Sequence, residues 1–576
     1  MIIRLAAASF LLTLGGCATT VAGPTAPTEV EIIAFNDFHG NLEPPKQAIE
    51  APRRGEGSVR VPAGGAAWFA SAIEALRAAH PNHIVVSAGD MIGASPLVSA
   101  VFLDEPTIHA MNLIGVDLTA VGNHEFDKGR DELLRMQKGG CEKHTARQPC
   151  ALEPFPGAKF TFLAANVRTE NGTLFPASAI RSFGKGRARV TIGFIGLTLK
   201  ETATLVTPAG VAGLTFADET ETINALVPKL RAQGADAIVV LIHQGLSTKV
   251  GYNDKDCGGI DGDLLPILAK LDPAVDLVVS GHTHNAYICD YGRIDPARPF
   301  LVTSAGKYGT LLTDIRLAVD PAAGRVTAKS ADNLIVQSES YGSVAPTDRY
   351  PRYRPDPAVA ALVSRYAEKA GPMANRVVGR MTGPAKRETV PSGEQVLGDL
   401  VADAHLAATR ASGARIALTN GSGVRSDIEP VGGNVTFGQI FAAQPFGNSL
   451  VVKSFTGRQI RALLEQQFDS GSNTATSPNM LLPSANLRFA YDLSRPAGQR
   501  ILDLAIDGRP IEDEAIYRVA MNSFLASGGD NFTIFKEGKD PAGGPLDLDA
   551  LEAWIAGSSP LTPPVPDRIR DMTPKP

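Results

Sequence analysis

Eight short apolar runs recur between Val30 and Gly306: VEIIAF, HIVVSAG, LTAVG, FTFLAAN, VTIGFIGL, DAIVVLIH, VDLVVSG and FLVTSAG. Each is dominated by β-branched and aromatic residues and is too short for a stable helix. Such runs predict strands buried on both faces. Between several of them the apolar spacing changes to that of an amphipathic helix, as in Ala66 to Ala79 and Glu219 to Gln233. The alternation predicts a layered α/β domain over Glu29 to Ser338. In open α/β sheets, functional loops leave the C-terminal ends of the strands.

The pattern breaks at Ser343 to Pro357, SVAPTDRYPRYRPDP, whose prolines cannot continue a helix. Ala358 to Ala370 then reads as one amphipathic helix. A second α/β region begins near Arg376, with ARIALTNGSG, the helical GRQIRALLEQQF, the strand-like LRFAYDL and YRVAMNSFLASGGDNF. No internal repeat is visible. The Pro-rich stretch from Pro560 predicts a poorly ordered tail. The expected division is an export signal at 1–17, a tether at 18–28, a first domain at 29–340, a linker and hinge helix at 341–375, a second domain at 376–565, and a tail at 566–576.

At 576 residues the chain is too long for one core. Its net charge of -5 and lack of a basic block exclude a protein that wraps a nucleic-acid polymer. Arg4 followed by LAAASFLLTL has the form of an export signal, with an apolar run too short to span a membrane. The LGGC that ends it resembles a bacterial lipoprotein signal, in which Cys17 is lipidated; ordinary secretory cleavage nearby is the alternative. A periplasmic or outer-membrane-anchored lipoprotein is the implied location, with the membrane as a partner through Cys17. Setting Cys17 aside leaves four of the five cysteines, an even number suited to an oxidising compartment. Cys141 and Cys150 flank a polar loop, and Cys257 and Cys289 flank GHTH, so disulfides are expected at Cys141–Cys150 and Cys257–Cys289.

Chemistry concentrates in short blocks just after the apolar runs. These are DFH at Asp37 to His39, GD at Gly89 and Asp90, GNHEFD at Gly122 to Asp127, His243 in LIHQG, and GHTH at Gly281 to His284. All carry oxygen or imidazole groups of the kind borderline divalent cations accept. Asp37 and His39 are two apart and can face one cation, as can His282 and His284. Asp90 follows a glycine that permits close backbone approach, and its carboxylate can bridge two metals. Asn123 adds a neutral amide oxygen. Buried without a metal, such a set would be costly. His80, His83, His109, His144 and His405 lie outside the blocks and read as structural or surface histidines.

With these blocks in this order, the chain resembles the bacterial 5'-nucleotidase and UDP-sugar hydrolase family of calcineurin-like metallophosphoesterases. The resemblance covers nearly the whole mature chain. It implies a four-layer metallophosphoesterase β-sandwich flanked by helices, with a second α/β substrate-binding domain joined by a helix. It implies two divalent ions, drawn from Zn, Mn, Co or Fe. Asp37, His39, Asp90 and His284 would hold one, and Asp90, Asn123, His243 and His282 the other. His124 would contact the phosphoryl group, with Asp127 fixing its tautomer; Asp127 capping the following helix is the plainer reading.

The second domain carries NGSGVRSDI from Asn420, PFGNSL from Pro445 and NSFLASGGDNF from Asn522. Arg425 offers a planar fork suited to phosphate. Phe446 and Phe524 can sandwich a base, and Asp530 can accept ribose hydroxyls. The resemblance places Asn420 near the base. One departure stands out: Ser392 to Glu394 occupy a position where relatives carry arginine, leaving Arg387 a few residues earlier as the candidate replacement. The expected reaction is metal-assisted hydrolysis of nucleoside 5'-monophosphates. Alternatives are a UDP-sugar pyrophosphatase, a 2',3'-cyclic nucleotide phosphodiesterase, or a non-catalytic nucleotide-binding surface protein.

Overall fold

The computed structural model describes residues 26–52, 57–145, 147–206, 210–255 and 257–574. Cys17 and the rest of the expected export signal lie outside them. The period-2 logic of a doubly buried strand is visible in Thr28–Phe35. Val30, Ile32 and Ala34 enter one core, while Ile33 and Phe35 enter another on the opposite face. Strand Ala237–His243 does the same, with Val239 and Leu241 on one side and Ile238, Val240 and Ile242 on the other.

The shared core lies between two six-stranded sheets. One sheet runs in the order Arg325–Ile335, Leu311–Asp320, Thr28–Phe35, His83–Ser87, Leu118–Ala120, Thr161–Leu163. The other runs Ala286–Asp290, Leu301–Ala305, Leu277–Ser280, Ala237–His243, Val190–Thr198, Ser178–Phe183. Helices Ala66–Ala79, Glu105–Ile114 and Pro357–Ala374 cover the first sheet, and Glu219–Ala232 and Leu264–Leu268 cover the second. The result is the expected four-layer α/β sandwich. All eight apolar runs are strands. The long pair Leu311–Asp320 and Arg325–Ile335 escaped the sequence reading, because its outer strand alternates buried and exposed positions and carries many polar residues.

Strands Thr28–Phe35, His83–Ser87 and Leu118–Ala120 are mutually parallel, as are Ala237–His243 and Leu277–Ser280. Their C-terminal ends therefore leave each sheet on one edge. That is where every ligand block begins.

The helix after the Pro-rich connector is longer than expected, Pro357–Ala374, and Asp356 caps it by accepting from the Ala358 and Val359 N–H groups. Val359, Leu362, Tyr366 and Ala370 are buried in the first domain's core. This helix is thus part of the first domain's body, and the passage to the second domain comes at Asn375 and Arg376.

The second domain has a five-stranded sheet in the order Leu481–Pro483, Ile416–Asn420, Ile516–Asn522, Ser449–Thr456, Lys539–Leu546. Ile416–Asn420 and Ile516–Asn522 are parallel, and Ser449–Thr456 is antiparallel, pairing Leu450 with Asn522. The end of the first two and the start of the third therefore share an edge, which brings the three sequence blocks together. The expected disordered tail is corrected: Ile569–Asp571 is a strand parallel to Leu487–Tyr491. Ile569 is core, and buried Arg568 pairs with Asp403 at 2.7 Å and donates to the Pro483 carbonyl at 2.7 Å. Prolines upstream did not prevent order, because this one apolar and one ionic anchor tie the segment down. Both expected disulfides, Cys141–Cys150 and Cys257–Cys289, are formed.

Candidate metal centre and interdomain cleft

The ligand loops are bent in a way ordinary residues resist. Asp37, His39, Asp90, His282 and His284 have φ of 50, 47, 50, 70 and 60°, all in the left-handed region. Non-glycine residues there store strain, which clusters at functional sites. The loops also approach very closely. A Cβ at Gly122 would stand 2.1 Å from Asp90 Oδ1, and one at Gly89 would stand 2.9 Å from His243 Nδ1.

Six side chains converge as two groups, Asp37 with His39 and His284, and Asp90 with His243 and His282; ligand atoms within each group lie within 4.8 Å of one another. The rings are held so that Nε2 faces the centre in two cases. His39 Nδ1 lies 2.9 Å from the Gly93 carbonyl, and His243 Nδ1 lies 2.8 Å from the Ala88 carbonyl. Donation to a carbonyl fixes each ring's orientation and points Nε2 at the centre, where a bound cation would take its lone pair in place of a proton. His39 Nε2 and His284 Nε2 are 3.1 Å apart, and buried His243 Nε2 makes no hydrogen bond although Asp90 Oδ2 is 3.0 Å away. Asn123 Oδ1 lies 3.1 Å from His282 Nδ1. A mixed nitrogen and oxygen set converging at such short distances fits divalent cations well.

Burial opposes ionisation of Asp37, but the His284 and His39 rings hold its carboxyl well below the usual range. Asp90 is likewise held down against burial, chiefly by His243. Burial and the charge on His243 push His282 down to about 4, and burial pushes His284 down to about 3. Both rings are therefore neutral and able to ligate. Burial works against charge on His124, but Asp127 and Asp90 outweigh it and raise its pKa. Asp127 is 2.9 Å from His124 Nδ1 and also accepts from the Ala94 N–H. It does not cap the following helix, whose N-cap is Gly129 with no side-chain bond.

Three residues missed in the sequence support this centre. Glu125 is buried and its carboxylate accepts the N–H groups of Asp90 at 3.0 Å, Met91 at 2.8 Å and Gly122 at 2.6 Å, stapling two ligand loops together. Asn36 donates to Asp37 Oδ2 at 2.6 Å. The ammonium of Lys307 sits 4.8 Å over the Tyr308 ring, which lies against His39 and His284. Burial, then the charges of Arg387 and Arg425, push the Lys307 ammonium down to about 8. Glu125 stood inside GNHEFD and could have been found there; the other two carry no signal of their own.

A cavity of about 150 Å³ joins the domains. Asn123, His124, Asp127 and His282 line it from the first, and Asn420, Arg425, Phe446, Phe524 and Asp530 from the second. Phe446 stacks on His124 with centroids 5.6 Å apart and planes 16° apart, and Arg425 lies 6.0 Å over the Phe446 ring. Asn420 lines the cleft and is itself tied into a polar network. Its amide donates to Asp530 Oδ2 at 2.8 Å and Ser422 Oγ at 2.7 Å, and accepts from Asn522 at 3.0 Å, so it serves to hold Asp530. Arg387 reaches the Arg425 backbone carbonyl at 3.3 Å. Glu394, in the departing stretch, is buried and accepts the Arg568 N–H at 2.9 Å, away from the cleft. None of His80, His83, His109, His144 and His405 belongs to either metal-ligand group.

Residues 30–286 match the family described as calcineurin-like phosphoesterase, and residues 377–537 match the 5'-nucleotidase C-terminal domain. The chain is 28% identical to Endonuclease YhcR of Bacillus subtilis over 92% of its own length, but spans only 40% of that relative. It is 27% identical to snake venom 5'-nucleotidase of Naja atra, covering 94% of this chain and 98% of the relative. The crystal structure of a 5'-nucleotidase precursor from Thermus thermophilus superposes with a TM-score of 0.75 at 26% identity, covering 95% of this chain and 100% of that one. The paired lone-pair centre and the cleft beside it thus belong to a known architecture, and the chain is a member of the 5'-nucleotidase family, in which a calcineurin-like phosphoesterase domain precedes a 5'-nucleotidase C-terminal domain.

Proposed function

We propose that the protein is an exported, dinuclear-metal 5'-nucleotidase that hydrolyses nucleoside 5'-monophosphates to nucleoside and phosphate. One observation carries this reading: a single cavity is walled by His124 and Asp127 on one side and by Arg425, Phe446, Phe524 and Asp530 on the other. Two divalent cations held by the seven ligands supply Lewis-acid activation of water and of the phosphoryl oxygens. The chain's own groups do the rest. Arg425, with Arg387 and Lys307 nearby, offers positive charge to the phosphate. Phe446 and Phe524 present ring faces to the base, a contact worth ~1–3 kcal/mol. Asp530, held by Asn420 and Ser422, lies in the cleft wall where it can accept from ribose hydroxyls. His124, whose pKa Asp127 and Asp90 raise against burial, is placed to give a proton to the leaving oxygen.

The apolar N-terminal run with Cys17 and the two disulfides support export, with a lipid anchor on Cys17. The test uses the chain lacking residues 1 to 17 with Mn²⁺ or Zn²⁺ and separate substrates: AMP, UDP-glucose, 2',3'-cyclic AMP and bis-p-nitrophenyl phosphate. Adenosine and phosphate from AMP as the dominant products are expected. Preferential cleavage of the diphosphate or diesters would move the function to a UDP-sugar pyrophosphatase or cyclic phosphodiesterase. Nucleotide binding without turnover, metals present, would make it a binding protein.

A further inference from the structure

The polar side chains that line the interdomain cleft differ in whether their hydrogen bonds are made. Asn448 donates to Asp547 at 3.3 Å and accepts from the Ser523 hydroxyl at 3.2 Å, and Asp547 accepts from the Leu548 N–H at 2.8 Å. Asn522 donates to Asn420 at 3.0 Å and accepts from the Leu525 N–H at 2.8 Å. Gln444 lines the same cleft and is only 3% exposed, yet its Oε1 has no hydrogen-bond partner. Among the described residues of this lining, it is the one buried side-chain polar atom left so. Buried polar groups are almost always paired, and an orphan calls for a partner from elsewhere.

The backbone fixes where Gln444 stands. It ends helix Phe437–Ala443, its N–H donates to the Ile440 carbonyl at 3.0 Å, and Pro445 and Phe446 follow it. Gln444 and the rings of Phe446 and Phe524 line one cavity. With the faces of a base covered by the rings, a polar side chain in the same lining is left the edge of the base to meet. On its other side, Gln444 Nε2 lies 3.5 Å from Nε2 of His405. That ring is fully buried, and burial pushes it down to about 3, so it holds the amide without adding charge. The last torsion of glutamine is soft and roughly two-fold, so the carboxamide can turn its oxygen to an incoming donor without moving its stem. A carboxamide oxygen only accepts. Adenine and cytosine offer it an exocyclic amine, whereas hypoxanthine and uracil carry a carbonyl oxygen at the same position.

We propose that Gln444 reads the edge of the base, its Oε1 accepting from an exocyclic amino group, so that the cleft selects the amino bases adenine and cytosine over the keto bases hypoxanthine and uracil. The proposal rests on the reading above, in which the base enters between Phe446 and Phe524. A keto base sets a carbonyl oxygen against Oε1 and leaves both unpaired, a mismatch that sites built to hydrogen-bond an N–H group reject.

The experiment measures kcat/KM of the full mature protein, with metal, for two pairs matched in size: AMP against IMP, and CMP against UMP. Calorimetry with metal omitted compares the corresponding nucleosides in the same pairs. In at least one pair the amino member is expected to exceed its keto partner by about ten-fold or more in both readings, and that pair identifies the purine or the pyrimidine as the base whose edge is reached. Gln444→Met keeps the volume and removes the polar end, and is expected to bring the ratio to within about two-fold of unity. Equal use of amino and keto members by the parent overturns the proposal. So does a preference for the keto members, or an amino preference that survives Gln444→Met. The parent's own ratios decide the preference whether or not the variant folds. If AMP is not hydrolysed, but adenosine binds more tightly than inosine and Gln444→Met abolishes the difference, the nucleotidase reading fails and the base reading stands.

Discussion

The candidate metal ligands and the lining of the interdomain cleft both bury aspartates, yet set their charge in opposite directions; Glu125, which staples the ligand loops through backbone N–H groups, is pushed up to about 8 by burial and by Asp90. Asp37 and Asp90 are buried and held far below the usual carboxylate range by the imidazoles of His284, His39 and His243. Asp530 and Asp547, which both line the cleft, are as deeply buried and pushed up, Asp547 to about 7. Burial is the largest influence in all four. The neighbours decide the sign, because Asp530 and Asp547 are met mainly by amides, hydroxyls and backbone groups such as Asn420, Ser422 and Asn448. One region is therefore a charged cradle for cations, and the other a polar lining of lower charge suited to a nucleoside. The backbone shows the same contrast. Five of the proposed metal ligands are left-handed, whereas among the proposed substrate residues only Asp530 is.

The comparison breaks most severely at Asp90, which lies between the two ligand groups. Asp90→Ala should lower turnover by more than about 10³-fold, beyond the ~10–100-fold expected of an outer-shell change. Metal analysis of the purified variant should show less than the full complement; full activity would refute a two-cation centre. Glu125→Gln comes next. It keeps the shape but weakens the staple between the Asp90 and Gly122 loops, so metal affinity should fall about ten-fold or more. An unchanged metal titration would leave Glu125 a bystander.

On the cleft side, Phe446→Ala should raise KM for AMP about ten-fold, in line with the loss of base stacking. Because the ring also stacks on His124, a larger fall in kcat than rise in KM would assign Phe446 to the chemistry instead. The smallest effect on turnover is expected at Asp547, and it is read in stability. Its folded pKa, about 7, lies above its ordinary value of 3.8, so the folded state holds a proton the unfolded chain releases. Its contribution is complete below about pH 4 and is lost as pH rises through 7. The urea midpoint should decline between about pH 4 and pH 8 in the parent and decline less in Asp547→Asn. Parallel curves would mean that Asp547 is ionised throughout, and the contrast between the regions would fall with it.

Much of the first domain was legible because doubly buried parallel strands are continuous apolar runs, and ligand blocks begin where those runs end. The antiparallel pair Leu311–Asp320 and Arg325–Ile335 was not, since its polar outer strand is held by pairing across the sheet rather than by its own composition. The ligand types at Asp37, His39, Asp90, His243, His282 and His284 were readable locally. Their left-handed backbone, the Glu125 staple and the placement of Lys307 beside Arg387 and Arg425 were not, because each depends on residues far away in the chain. The same reason explains the tail, where Arg568 finds Asp403, and the linker helix, whose apolar stripe is spent on the first domain's core.

From residue order alone one could determine which side chains are able to bind metal, that two α/β regions follow one another, and which cysteines can pair. Those properties are carried by short contiguous stretches. The tertiary structure alone decided which nitrogen of His39 and His243 faces the centre, which way each buried carboxyl is shifted, and that Asn420 holds Asp530. Each of these is an energy set by neighbours distant in sequence, and only the packed chain brings those neighbours within range.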